Sequence, residues 1–391
     1  MFFWLHKWLG LLTGLIIVVV SLTGCIYVFA DELKEHFYHT RLFVEPQNKE
    51  PLPLSELKDK AQLALGSTYQ ITRSDIYPAK DRSWIFRASE TDPKAIGYWN
   101  YYTYYYRVYV NPYDGHIIHI ENSKNEFFQL VLSLHMNLLL GDYVGSAVVG
   151  YAVALFVLIM ISGLVLWWPV HWKRKKIKAS FWVKWKASPK RLIYDLHNVL
   201  GFYMWLPIMI ITLTGLVYSF KWVDHTIQLI FNAGSPVVKR DIPASNPSET
   251  TINWNNSLNT ALTTVLRENP QSNMLSIRFK ANRTSAIDIQ TRLNKSKTSD
   301  FIWYYFDQRS GKLLTKYSHN DIKNGEKIRA MNFDLHVGSI GGMGTKIIAF
   351  IASLICTSLP ITGFLMWYYK IRKKGKRKSK QKKLQTSIKL Y

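Results

Sequence analysis

Leu5-His6-Lys7-Trp8-Leu9-Gly10 and Leu196-His197-Asn198-Val199-Leu200-Gly201 repeat one pattern, and each copy stands at the start of a long apolar stretch. Thr23-Gly24 and Thr214-Gly215 follow at the same distance, so the two copies are offset by 191 residues without a gap. An internal repeat of this kind indicates that one structural unit occurs twice in the fold.

A second pair of matching stretches has the same form. Leu134-His135 with Ser162-Gly163 corresponds to Leu335-His336 with Thr362-Gly363, at offsets of 200 to 201 residues. The chain is therefore predicted to contain two copies of one unit: a span, a soluble segment, a Leu-His pair and a second span.

Four stretches are apolar for longer than the roughly 20 residues needed to cross a hydrocarbon core. They lie near residues 3–29, 144–168, 196–220 and 344–369. We predict an α-helical membrane bundle of four transmembrane helices with two small extracytoplasmic α+β domains and an internal twofold duplication. The predicted segments are a first span at 1–30, a soluble domain at 31–125, a His helix and second span at 126–170, a basic loop at 171–191, a third span at 192–222, a second soluble domain at 223–326, a His segment and fourth span at 327–370, and a basic tail at 371–391.

Both soluble segments have the same predicted order of elements. In the first, a capped helix after Ser55 precedes strand-like runs at 84–87 and 98–110, a turn at 111–115 and a strand at 116–120. The second has a helix at 256–267, strands at 274–279, 286–291 and 301–306, a turn at 307–311 and a short run at 312–314. This order indicates a small α+β domain in each copy.

The net charge of +24 is concentrated in two places. Residues 171–191 hold nine Lys or Arg and no acid, and residues 370–391 hold eleven, again with no acid. Basic residues that flank spans stay on the cytoplasmic side. Both termini are therefore predicted to be cytoplasmic and both soluble segments extracytoplasmic, in a cytoplasmic membrane. A basic tail directly after a span indicates a topology anchor or lipid contact, not nucleic-acid binding.

This topology sorts the four histidines into two pairs. His6 and His197 begin outward-going spans near the inner face, whereas His135 and His336 precede inward-going spans near the outer face. A pseudo-twofold relation brings each histidine opposite its repeat partner. Facing imidazoles in a helix bundle can hold a planar macrocycle, and histidine is an axial ligand of haem iron. We predict two bis-histidine haems, b-type because no Cys-x-x-Cys-His motif is present.

Two other interpretations of these histidines stay open: another metal, or structural histidines at helix ends. A zinc or di-iron site needs three or more ligands, commonly with Cys or carboxylates. The nearest carboxylates in sequence are Asp195 and Asp334. Lys7 and Arg191 inside, and Arg329 outside, are charge-based candidates to meet haem propionates.

Several further residues have a chemical and a plainer interpretation. His36 and His39 could contact external iron or a third haem, but a solvated helix face is the favoured explanation of their spacing. His116 and His119 lie on opposite faces of a strand and are interpreted as surface residues. His171 belongs to the basic flank or replaces a cytoplasmic ligand. Leu22-Thr23-Gly24-Cys25 is similar to a lipoprotein cleavage site, yet the second copy keeps Thr214-Gly215 without the cysteine.

The chain resembles the PepSY-associated transmembrane family, which includes bacterial ferric-siderophore reductases. The resemblance rests on Leu5-His6 with Leu9-Gly10, on Leu134-His135-Met136-Asn137-Leu138-Leu139-Leu140-Gly141, on Phe333-Asp334-Leu335-His336, and on the strand-turn pieces at 109–115 and 305–311. It implies PepSY-like domains outside, two bis-histidine haems, and electron flow outward across the membrane.

The predicted function is a di-haem oxidoreductase that reduces an extracytoplasmic acceptor, a ferric siderophore or other ferric chelate. The cytoplasmic segments carry no nucleotide-binding glycine pattern, so electrons would come from quinol or a separate reductase. The alternative is a non-enzymatic membrane-anchored PepSY module that binds or restrains an envelope protease or another partner. A transporter is disfavoured, because the spans contain no carboxylates or interrupted mid-span segments.

Overall fold

The structure is a computed structural model that describes residues 1–169, 174–236, 240–245, 254–280, 282 and 284–388. Three helices in this part of the chain are long and apolar enough to cross a membrane. They are Phe2–Val28 (α1), Asp142–Trp167 (α7) and the first part, Met343–Arg372, of Met343–Ile388 (α15). A fourth span results if the bent pair Pro189–Tyr203 and Trp205–Ser219 is counted as one. The expectation of a helical membrane bundle is thus confirmed.

The bent pair turns by 66° at Met204. Its first half consists of Pro189–Asp195 (α9), a π-helical turn at Leu196–Leu200 and Gly201–Tyr203 (α10), and its second half is Trp205–Ser219 (α11). Pro207 has no N–H to donate to the carbonyl of Tyr203, which accounts for the break.

The membrane helices share one apolar core. α1 packs along α7 and α15, and α11 packs against the same two helices. Outward-facing leucines such as Leu12, Leu158 and Leu213 are exposed, as expected for surfaces that meet lipid tails. The core residues are Ile17, Phe156, Ile159, Met160, Ile208, Met209, Ala352 and Cys356.

The remaining helices are short. They are Ala30–Phe37 (α2), His39–Leu42 (α3), Leu54–Leu65 (α4), Tyr98–Tyr101 (α5), Phe127–Asn137 (α6), Arg174–Phe181 (α8), Lys221–Phe231 (α12), Trp254–Glu268 (α13) and Asn324–His336 (α14). The strands are Ile71–Ile76 (β1), Trp84–Thr91 (β2), Tyr102–Val110 (β3), Ile117–Asn122 (β4), Met274–Arg278 (β5), Ile287–Arg292 (β6), Phe301–Phe306 (β7) and Leu313–Ser318 (β8).

All eight strands form one antiparallel sheet in the order β4-β3-β2-β1-β5-β6-β7-β8. The two soluble segments meet at β1 and β5, where Ser74 lies opposite Ile277. They therefore share a sheet and do not form two separate ones. The assignment of these segments as PepSY-like domains, and the duplication itself, stay predictions.

Most of the predicted strands are found, with two differences. Residues 98–101 form a helical turn, not a strand, because Gly97 and Tyr98 donate their N–H groups to the carbonyls of Leu140 and Leu139 at 2.8 and 2.9 Å. β1 was not predicted, because three of its six residues, Arg73-Ser74-Asp75, are polar and hide the apolar pattern.

The two predicted turns are also found. Gly115 and Gly311 take φ values of +73° and +68°, a region that favours glycine. Their N–H groups donate to the carbonyls of Asn111 and Asp307, at 2.9 and 3.0 Å, and each closes the loop between two neighbouring strands.

Only one face of the sheet is covered by the packed helices α4 and α13. Between helices and sheet lies a continuous apolar core that includes Leu57, Phe86, Leu258, Ile277 and Phe306. The opposite face carries α2 and α3 near β3 and β4, where Leu42, Ile85 and Tyr109 pack together. This second face is turned towards the end of the bundle at Val28, which we call the sheet end; the end at Phe2 is the far end.

Candidate functional site

At the far end of the bundle the structure brings His6 and His197 together. His6 lies in the second turn of α1 and His197 in the π-helical turn at Leu196–Leu200. Their ring centres are 6.2 Å apart and their planes cross at 88°. π-Turns inside α-helices are rare and concentrate at functional positions, and this one sets the direction in which His197 points.

At the sheet end His135 and His336 form the second pair. His135 lies in the last turns of α6 and His336 is the last residue of α14. The ring centres are 6.0 Å apart with an interplanar angle of 65°. Both predicted pairs are thus close in space; their role as ligands stays a prediction.

Each imidazole is held through its Nδ1 atom. Nδ1 of His6 lies 3.1 Å from the carbonyl of Ile159, that of His135 lies 2.8 Å from Val20, and that of His336 lies 3.0 Å from Ile211. A carbonyl only accepts, so Nδ1 carries the proton in these three rings and Nε2 is left as the free nitrogen.

For His197 the shortest contact is to a hydroxyl, although the backbone carbonyl of Leu359 is also a hydrogen-bond partner of the ring. Its Nδ1 lies 2.9 Å from the hydroxyl of Thr362. That hydroxyl already donates to the carbonyls of Ser358 and Leu359, at 2.9 and 3.0 Å. The ring must then be the donor, so Nε2 of His197 is also free. All four histidine residues are partly buried.

Each imidazole ring packs against a hydroxyl-glycine dipeptide on another helix, which we call its seat. The hydroxyls of Ser162, Thr23, Thr362 and Thr214 lie 3.1, 3.4, 2.9 and 3.0 Å from Nδ1 of His6, His135, His197 and His336 respectively. The glycine that follows each hydroxyl removes a clash: a Cβ there would stand only 3.0 to 3.4 Å from Cε1 of the same ring. The four dipeptides are Ser162-Gly163, Thr23-Gly24, Thr362-Gly363 and Thr214-Gly215.

Sequence reasoning used these dipeptides only as markers of the repeat. Their function in seating a histidine from another helix was missed, although their recurrence four times was the available signal. The π-helical turn around His197 left no recognisable sequence signal.

A cavity of about 610 Å³ opens beside the far-end pair. This is within the range of about 300–1,000 Å³ typical of ligand pockets. Its lining includes both histidines, glycines from several helices and the cations Lys7 and Lys370. A Cβ on Gly10 would meet nothing within 4 Å, so this wall is open enough for a flat group.

A second cavity, of about 470 Å³, lies near the sheet-end pair. Its lining includes Tyr218, Lys221, Asp224 and Arg329. The ring of Tyr218 is 5.8 Å from that of His336, edge to face. Arg329 pairs with Asp224 at 2.9 Å.

The two carboxylates nearest the histidines in sequence are anchors and do not approach the imidazole pairs. Asp334 is fully buried and accepts hydrogen bonds from Thr298 and Ser299, through backbone and hydroxyl groups, at 2.6 to 3.0 Å. Asp195, also fully buried, pairs with Arg191 at 2.8 Å. Arg191, a predicted partner of a haem propionate, is therefore engaged in an ion pair with Asp195.

Among the described residues, His36, His39 and His116 belong to neither pair. His36 contacts Phe37, and His39 stacks on Phe43 with ring centres 4.6 Å apart. His116 is exposed. His171 lies outside the described residues. Across the described part of the chain, no group of three or more His, Cys, Asp or Glu side chains is arranged to hold a metal ion.

Comparison with known proteins identifies a family for the whole arrangement. No curated protein matches the chain. The family described as "PepSY-associated TM region" matches residues 3–370, nearly the full length and all four paired histidines. The chain belongs to the PepSY-associated transmembrane family.

Proposed function

We propose that this chain is a di-haem b-type membrane oxidoreductase. It would pass electrons from the cytoplasmic side or the quinol pool to an extracytoplasmic acceptor, a ferric siderophore or another ferric chelate. The observation that carries the proposal is the separation of the paired rings, 6.2 and 6.0 Å between centres. Two imidazoles that each bound one metal ion, with metal–nitrogen bonds of about 2 Å, would have ring centres about this far apart.

The state of the four rings fits the same group. Metal-bound histidines commonly donate their second ring N–H to a carbonyl or similar acceptor, which fixes the tautomer and the ring orientation. His6, His135 and His336 have a carbonyl at Nδ1, and His197 has the Thr362 hydroxyl. His6 with His197, and His135 with His336, would hold the two haems. Bound haem would supply a one-electron carrier at each end of the bundle.

The far-end cavity supports a flat, partly anionic occupant. Gly10, Gly163 and Gly363 give walls without side chains, and the apolar lining around Ile17 and Phe156 excludes water. Lys7 and Lys370 line the same cavity and are able to pair with carboxylates at its edge. The chain's own residues would orient such an occupant, remove water from around it and neutralise its negative charge.

The internal duplication is part of the proposal. The same hydroxyl-glycine seat occurs on α1, α7, α11 and α15, and each holds a histidine from a different helix. Such recurrence supports two copies of one unit. Each histidine contacts a seat within its own copy, whereas each histidine pair joins one residue from each copy.

The membrane orientation is supported by charge. In sequence, the basic stretches at 171–191 and 370–391 come at the far-end limits of the spans Asp142–Trp167 and Met343–Arg372, and the positive-inside rule assigns that end to the cytoplasm. The sheet and its PepSY-like segments would then be extracytoplasmic, beside the His135–His336 pair.

The test is a reduced-minus-oxidised spectrum of membranes with the wild type and the four single His→Ala variants. We expect a b-type spectrum with about two haems per chain, and loss of about one haem in each variant. His116→Ala, an exposed histidine outside both pairs, serves as the matched control and should keep both. A pure, folded protein with no Soret absorbance would refute the proposal. Full function of His135→Ala and His336→Ala would favour the alternative, a non-enzymatic PepSY module that binds or restrains an envelope partner.

A further inference from the structure

One line of side chains crosses all eight strands on the sheet face opposite α4 and α13. Directly opposed residues of an antiparallel sheet project from the same face, with Cβ atoms about 4.5–5.5 Å apart. The four central arginines, which we call the arginine row, therefore extend about 14 Å across four strands. From β4 to β8 the line reads Glu121, Arg107, Arg87, Arg73, Arg278, Asp288, Tyr305 and Thr315.

The arginine row is not explained by folding. Like charges placed directly opposite each other on neighbouring strands destabilise a sheet. Burial lowers the pKa of Arg73; Asp75 offsets this in part, and Arg87 and Arg278 lower the pKa further. Burial is the main cause of this direction and the two neighbouring arginines add to it, whereas carboxylates and tyrosines raise the pKa of Arg87 and of Arg107 despite their burial.

The carboxylates within the row compensate only part of this charge. Asp75 contacts both Arg87 and Arg73, the latter at 3.5 Å. Asp288 is shared by Arg278 and Lys280, at 3.2 and 3.3 Å. Arg107 contacts Glu121 and Glu126, and Arg41 also pairs with Glu121. With Arg41 and Lys280 included, six cations contact four carboxylates, so two positive charges are left over.

The row is reachable and has unused donors. The side chains of Arg87, Arg73 and Arg278 are 28, 34 and 44% exposed. The Nε–H groups of Arg87 and Arg107 have no acceptor among the described residues, but these two atoms are buried, so a ligand would meet the exposed parts of the row first. Arginine forks match carboxylates and phosphates in a bidentate way, which lysines do not.

The row also lies beside the sheet-end pair. Nη1 of Arg107 is 3.9 Å from Glu126, whose carboxylate accepts from the N–H groups of Phe128 and Gln129 and so caps α6. His135 follows nine residues later on the same helix, about 14 Å along its axis. A ligand on the row would therefore lie between the sheet and this histidine pair.

We propose that the arginine row binds a small polyanion, and that this ligand is a carboxylate-bearing ferric chelate. The identity of the ligand as an iron chelate rests on the proposed function; the recognition of a polyanion does not. Trp303, whose ring lies 4.8 Å from the guanidinium carbon of Arg278, supplies a flanking aromatic surface.

The test uses the citrate complex of Ga(III), which has the charge of the ferric complex and is not reduced. Titrated by calorimetry into the full-length protein in detergent, it should bind the wild type saturably and more weakly as salt is added. Arg73→Gln with Arg278→Gln should bind it at least tenfold more weakly. Arg278→Gln alone is the milder variant if the double variant does not fold. Arg267→Gln, on an exposed position of α13, should bind like the wild type.

Three results would overturn the inference: no binding by the wild type, equal binding by the folded arginine variants, or equally tight binding of a cationic trihydroxamate complex of Ga(III). Because gallium accepts no electron, these results do not depend on electron transfer. Absence of haem would refute the proposed function and leave the binding result standing.

Discussion

The two histidine pairs hold their imidazoles in the same way but rest on different supports. His6 and His197 belong to membrane-spanning segments, next to the 610 Å³ cavity. His135 and His336 belong to the short helices α6 and α14, which Glu126 and Asp334 fasten to the sheet side. The far-end pair is therefore set by membrane packing, whereas the sheet-end pair is coupled to the soluble part. A change in the sheet should reach only the second pair.

The largest expected effect comes from filling one glycine seat at a time. A Cβ on Gly163 would stand 3.0 Å from Cε1 of His6, and one on Gly24 would stand 3.3 Å from Cε1 of His135. Gly163→Val should abolish the far-end site and Gly24→Val the sheet-end site, each removing about half of the bound haem, as measured by pyridine haemochrome per chain. Gly344→Ala, where a Cβ meets nothing within 4 Å, is the control. Retention of both haems in Gly163→Val would contradict the seat.

Removing the hydroxyl of a seat should affect the two far-end histidines to different extents. Loss of a partner that orients a metal-binding histidine typically costs about 10–100-fold in affinity. Thr362→Val removes the hydroxyl bonded to His197, so we expect an effect of this size on haem retention. Ser162→Ala should have less effect, because the Ile159 carbonyl stays 3.1 Å from Nδ1 of His6. Transfer of haem to an apoprotein acceptor measures both, and a larger loss in Ser162→Ala would contradict this ranking.

Asp334→Asn tests the anchor of the sheet-end pair. It leaves buried donors of Thr298 and Ser299 with a weaker acceptor, at a cost of about 1–3 kcal/mol. We expect a lower melting temperature together with a changed spectrum of the sheet-end site only. Asp59→Asn, on the exposed side of α4, should be neutral. Equal disturbance of both sites would show that the two supports are not independent.

Acidification should give the smallest effect, again at the sheet end. Burial alone would raise the pKa of Glu121, but Arg107, the Ser123 hydroxyl and Arg41 outweigh it and lower the pKa below its ordinary value of 4.5. The folded-state pKa is depressed, so this stabilisation is complete above pH 4.5 and is lost as the pH falls through the folded-state value. The melting temperature of the wild type should drop in this window, and that of Glu121→Gln should drop less. Identical pH profiles would exclude a role for Glu121.

Much of the fold could be predicted because the signals are local. Apolar length marks the spans, and the aromatic runs mark strands such as Phe301–Phe306. β1 could not be predicted, since Arg73, Ser74 and Asp75 mask its apolar pattern and the strand pairs with β2 on one side and with β5, some 200 residues later, on the other. The helical turn at Tyr98–Tyr101 likewise depends on carbonyls of the distant loop at Leu139 and Leu140.

The sequence by itself determined the membrane class, the apolar stretches that form three or four spans, and the four paired histidines, because hydrophobic length and matching Leu-His stretches are readable along the chain. Only the tertiary structure decided which hydroxyl-glycine dipeptide seats which ring, that the strands share one sheet, and that four arginines stand side by side. The seats, and the β1–β5 pairing that joins the sheet and places Arg278 beside Arg73, depend on contacts between residues more than a hundred positions apart, and no local pattern specifies such contacts. The histidine pairs lie between these cases: the repeat suggested the partners, and helix packing fixed their 6 Å separation.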